Sequence, residues 1–157
     1  MGQQQLLLLV LATVIVGLAT VAGIQAFDEG QTQATQDALT QRALTIGNDI
    51  YGAVQKPAQL GGVSFSNSDA TAFAAAAGYG EEVDKNGRGI PADGAGANAD
   101  CDLGTTGSSV TVYCASDGQD SNNTSGGDSN TNQYVEVKVT SSGATVTNIN
   151  GNTNVGS

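Results

Sequence analysis

The chain has 157 residues, enough for one ordinary domain and little more, and a formal net charge of −10. It has no His, no Trp, one Met and two Cys, with 22 glycines, so most of the side chains that usually perform acid–base, nucleophilic or metal chemistry are scarce. The five basic residues, Arg42, Lys56, Lys85, Arg88 and Lys138, give a surface that repels phosphate and excludes ordinary nucleic-acid binding.

The first predicted element is an N-terminal helix. Leu6–Ile24 reads LLLLVLATVIVGLATVAGI, nineteen residues without a charge. As a helix this run is roughly 28 Å long, close to the thickness of a bilayer's hydrocarbon core. A secretory signal peptide would carry a basic start and a shorter apolar stretch, whereas Met1–Gln5 reads MGQQQ. A simple membrane anchor fits the length but leaves the following segment unexplained. A small domain could not bury a helix that is apolar all round.

Residues 27–38 turn polar without a proline. Leu39, Ala43, Ile46, Ile50 and Val54 then recur at helical spacing and form one apolar stripe. Pro57 stops the helix, and Leu60-Gly61-Gly62 opens a loop. The pattern predicts one helix over residues 1–56, roughly 80 Å long, with an apolar part (1–26) and an amphipathic part (27–56). A small β-rich head follows over residues 57–157.

The stretch GQQQLLLLVLATVIVGLATVAGI, in its length, polarity and placement ahead of the amphipathic segment, resembles the N-terminal helix of bacterial type IV pilins and pilin-like proteins. The likeness covers residues 1–60; for 61–157 it is one of architecture. It implies an α+β fold, with a long helix whose second half holds a small antiparallel sheet. It also implies a non-enzymatic, cofactor-free structural subunit, anchored in the inner membrane before assembly and then packed with identical subunits in an extracellular helical homopolymer. Prepilin peptidase and an inner-membrane assembly machinery are the further partners implied. The alternatives are a minor pilin or secretion-system pseudopilin, and a membrane-anchored protein whose exported head binds a ligand such as calcium.

The family places Phe at the mature start and Glu at the fifth position, where it neutralises a neighbour's terminal amine. With Met1 as the assembly terminus the fifth residue here is Gln5, which can accept a hydrogen bond but supplies no countercharge. An amide costs less than a carboxylate to bury in lipid. Processing after Gly2 would make Leu7 the fifth residue, and Gln3–Gln5 also read as a plain polar first turn. Gly17 and Gly23 each cost about 1 kcal/mol relative to Ala in a helix. Close packing of neighbouring helices explains them, with local melting of the segment as the alternative. Thr13 and Thr20 can return their hydroxyls to the preceding turn.

In the head, Asp69 and Gly78 bracket a short helix as cap and stop. Ser109–Ser116 and Tyr134–Thr140 alternate as strands, and Ser141-Ser142-Gly143 turns into a returning strand over Ala144–Ile149 with Val146 inward. The sheet is expected to lie on the Leu39–Val54 stripe. Glycine-rich segments around 86–99 and 117–132 read as surface loops, leaving the head thinly cored. Cys101 and Cys114, in an exported domain, are expected to form a disulfide contributing about 3 kcal/mol; without His or CxxC spacing they are no metal site. The acidic runs Glu81–Gly87 and Asp117–Asp128 loosely resemble oxygen-rich cation loops but lack a fixed ligand spacing, and read as solvated turns. Asn122 and Asn123 open formal glycosylation acceptor triplets.

Overall fold

A computed structural model of the chain describes residues 2–66, 69–80, 89–116 and 133–149. Met1, both acidic runs, the glycosylation triplets and the 117–132 segment lie outside the described residues. The fold is α+β. A long helix α1 (Gly2–Gln55) is followed by a single 3-10 turn (Ala58–Leu60), helix α2 (Ala70–Ala77) and five strands. These are β1 (Ile90–Pro91), β2 (Asp100–Thr106), β3 (Ser109–Ala115), β4 (Tyr134–Thr140) and β5 (Gly143–Ile149). The chain divides into two compact units, Met1–Ala34 and Thr35–Ser157, and α1 contributes to both.

In the second unit the five strands form one antiparallel meander in sequence order. Its inward rows follow from strict alternation: Cys101, Cys114 and Val135 in one; Leu103, Val112, Val137 and Val146 in the next; Val110, Val139 and Ala144 in the third. They share one core with the α1 stripe, of which Leu39, Ala43, Ile46 and Ile50 are fully buried and Val54 is partly buried. Gly47 and Ala53, both buried, widen the stripe. Gly47 sets the spacing between helix and sheet. A Cβ placed there would lie 3.0 Å from Val137 Cγ1 and 3.2 Å from Ala144 Cβ, closer than packed methyl groups sit.

α2 begins as its sequence dictates. Asp69 accepts from the Thr71 amide at 3.0 Å, and Gly78 ends the helix with φ +93°. Phe73 and Ala74 of α2 enter the core, and Phe73 lies 6.2 Å from the Phe65 ring, centroid to centroid. Both sheet edges are blunted. β1 is two residues long and ends in Pro91, while β5 carries a bulge opposite Glu136/Val137.

Two expectations change. The sheet has five strands where the alternation pattern marked three, because β1 and β2 belong to it. Residues 89–99 are not a plain surface loop. Ile90, Ala92, Ala95 and Ala99 are buried, and the segment closes on itself through Ala92 N–H to Ala99 O (2.9 Å) and Ala95 N–H to Ala92 O (3.1 Å). Small side chains let this backbone approach α1, with Gly94 beside Ala38.

The disulfide Cys101–Cys114 joins directly opposed residues of β2 and β3 and is fully buried. It fixes the open end of the hairpin, the end farthest from the Gly107–Ser108 turn. Replacing both cysteines by Ser should lower unfolding stability by about 3 kcal/mol, measured by denaturant titration of the detergent-solubilised chain. By the same measurement Gly47→Leu should cost about 2 kcal/mol or more through overpacking against Val137 and Ala144. Gly52→Ala, at a helical position with open space around it, should instead stabilise by up to about 1 kcal/mol.

Candidate functional site

The first unit consists of helix alone, and every described residue from Gly2 to Ala34 is exposed. No charged side chain occurs before Asp28. Twelve large aliphatic residues between Leu6 and Ile24 retain from 50% exposure at Leu11 to 69% at Leu7. Fully removing such side chains from water yields roughly 1.5–3 kcal/mol each, on the order of 20 kcal/mol together. That exceeds the whole stability of a typical domain, about 5–15 kcal/mol. This surface is therefore built to be covered. Among the described residues, α1 is the one helix long and apolar enough to anchor in a membrane.

The surface is apolar in detail as well as on average. Thr13 Oγ1 donates to Val10 O and Thr20 Oγ1 to Gly17 O, both at 2.8 Å, so neither hydroxyl demands a partner outside the helix. Gly17 and Gly23 are helical, and a Cβ at either would meet nothing within 4 Å. Nothing among the described residues requires glycine at these two positions; each leaves a notch in the outer surface of the helix. Gln5 lies in the first turns of α1 and is exposed. Gln5, Gly17 and Gly23 all lie on the exposed helix of the first unit, whereas the cysteines form a buried bridge in the second.

Polar chemistry in the second unit is concentrated at two places, neither foreseen from the sequence. On the outer face of the sheet, Asp102, Tyr113 and Glu136 stand in one cross-strand row. Asp102 is buried at 4% exposure. Gly104, with no side chain, lets the Tyr113 ring pack 3.3 Å from where a Cβ would sit. Burial, and next the Glu136 carboxylate, push the Tyr113 hydroxyl above its ordinary range, partly opposed by a hydrogen bond with Thr111.

The second place ties three elements together. Tyr79, just beyond α2, donates its hydroxyl to Asp49 of α1. Arg42 lies over the Tyr79 ring at 5.7 Å and donates from Nε to Pro91 O of β1 at 3.0 Å. Burial, then the hydrogen bond to Asp49, raise the Tyr79 pKa to about 12, while Arg42 works in the opposite direction. The arrangement is a brace between helix and sheet edge. Among the described residues no group of three or more His, Cys, Asp or Glu side chains is placed to hold a metal ion.

Comparison with protein-family models, curated proteins and solved structures returned no match.

The brace has an alkaline signature. Tyr79 binds its proton more tightly in the folded chain than in the unfolded one. Between pH 10 and about 12 the native state therefore holds more protons, and stability falls as pH rises through that window. Tyr79→Phe should flatten this decline while lowering stability modestly at neutral pH, as followed by thermal unfolding across pH 8–12.

Proposed function

We propose that the chain is the structural subunit of an extracellular filament of the type IV pilus kind, and that it polymerises through the first half of α1. The observation that carries this is the uncharged, exposed helix surface from Gly2 to Phe27, with twelve large aliphatic side chains facing outward. In lipid that surface costs nothing. Once the subunit leaves the membrane, identical helices are the nearest replacement, since each offers the same apolar cylinder and each has the same need.

Assembly then follows from elementary terms. Lipid supplies no hydrophobic drive between helices, so subunits stay dispersed or weakly associated in the membrane, and close approach depends on notches such as Gly17 and Gly23. Outside the membrane the water-exposed alternative costs on the order of 20 kcal/mol per subunit, which makes the polymer effectively irreversible under mild conditions. All but two of the fifteen acidic residues lie beyond residue 34, so the second unit supplies the acidic surface that keeps a fibre soluble. Prepilin peptidase and an inner-membrane assembly machinery are the partners this route needs.

A plain membrane anchor with an exported ligand-binding head uses the same helix and differs in its product. Sheared extracellular material, pelleted without detergent, should contain this chain as its main component and show uniform fibres by electron microscopy. Ile15→Lys should abolish the fibres. Chain recovered solely as detergent-soluble monomer from membranes would contradict the proposal.

A further inference from the structure

The Cys101–Cys114 bridge lies in a row that runs across four strands: Ile90 of β1, Cys101 of β2, Cys114 of β3 and Val135 of β4. Ile90 is 3% exposed, and the two cysteines and Val135 are at 0%. All four belong to the core that the sheet shares with α1.

α1 is tied down at both ends of this row. Gln36 Nε2 donates to the carbonyl of Tyr134, next to Val135, at 3.5 Å. Arg42 Nε donates to the carbonyl of Pro91, next to Ile90, at 3.0 Å. The stretch of helix from Gln36 to Arg42 therefore reaches from β4 to β1, and the two strands that carry the bridge lie between them in the sheet. Leu39, between the two ties, and Ala43, just after them, are fully buried. Gly94 sits beside Ala38, so the segment ahead of β2 closes the same margin. All of these residues are in the second unit.

Thiol–disulfide exchange proceeds by direct attack of a thiolate on one sulfur of a disulfide, so its rate depends on access to that sulfur. With both cysteines fully buried, a reagent reaches the bridge only after the structure above it opens. The ties at Tyr134 and Pro91 show which part that is.

We infer that residues Gln36–Ala43 of α1 act as a strap over the bridge, which closes before the strap docks and is sealed once it has docked. Closure takes an oxidant of the dithiol–disulfide class, acting on the chain while the row is still open. The Cys101 and Cys114 thiols give up two electrons and two protons as the S–S bond forms. The oxidant's own disulfide accepts them and leaves as a dithiol. After docking, neither reductant nor oxidant exchanges with the bridge until this stretch of helix lifts. The redox state set during folding is thus the state that the folded chain keeps. The inference involves one copy and the second unit alone, so it stands apart from the polymer reading.

The test follows reduction of the bridge by dithiothreitol in the full, detergent-solubilised chain, with timed alkylation and mass measurement of the released thiols. Reduction of the folded chain should be about a thousandfold or more slower than reduction in denaturant. Arg42→Ala, which removes the tie at β1, should speed it by about tenfold or more. Gln36→Ala, at the β4 tie, is the milder variant and should act in the same direction. Val139→Ala trims the core beside Gly47, away from the strap. It should cost more stability than Arg42→Ala in denaturant titration and yet speed reduction less. A native bridge reduced within about tenfold of the unfolded rate would overturn the seal. Rates that follow lost stability in every variant, or that neither strap variant changes, would overturn the strap.

Discussion

The chain is organised around one apolar helix surface that stays exposed among the described residues. From Leu6 to Ile24 the helix turns large aliphatic side chains outward on all sides, and its two threonine hydroxyls bond back to the helix that carries them. A surface of that kind has two stable surroundings, hydrocarbon and other apolar protein. The difference between either of these and water is larger than the folding stability of an ordinary domain. The remaining features follow as accommodations: no charge before Asp28, glycine notches at 17 and 23, and an acidity placed almost wholly beyond residue 34.

The second unit solves a different problem, that of making a core from small residues. Its large buried side chains are few, Phe73, Leu39, Ile46, Ile50, Ile90 and Leu103, and the rest of the core is mainly valine, alanine and the disulfide. Such a core is stable only if its layers come close together. Gly47 permits that between α1 and the valines of β4, and Gly104 permits it on the outer face beneath Tyr113. Where packing alone is thin, covalent and polar ties are added at the margins. The Cys101–Cys114 bridge closes the open end of the β2–β3 hairpin, and the Arg42–Tyr79–Asp49 brace links the helix to the loop after α2 and to the sheet's edge at Pro91.

Much of this was legible from residue patterns, because the strongest signals were periodic or positional. The uncharged run, the Leu39–Val54 stripe, the Asp69 cap, the Gly78 stop and the alternating valines of β3 and β4 each constrain one local structure with little competition. β2 was not legible for a physical reason. Its inward residues are Cys101, Leu103 and Thr105, interrupted by Asp102 and Gly104, residue types that local preference assigns to turns. The Gly107–Ser108 pair between two candidate strands was the available hairpin signal. Residues 89–99 misled in the same way, since alanine and glycine read as loop although here they are buried for their smallness. The brace and the Asp102–Tyr113–Glu136 row depend on cross-strand register and on contacts between distant segments, which single-chain periodicity does not encode. The proposal of a pilus-like subunit likewise draws on the helix, the part of the chain whose pattern is strongest.

The most direct measurement is the intact mass and sedimentation of the chain recovered outside the cell without detergent. The account predicts a chain that keeps its apolar residues through Ala26 and sediments as a polymer. A soluble monomer whose sequence starts near Phe27 would contradict it, because a surface that has been cut away needs nothing to cover it.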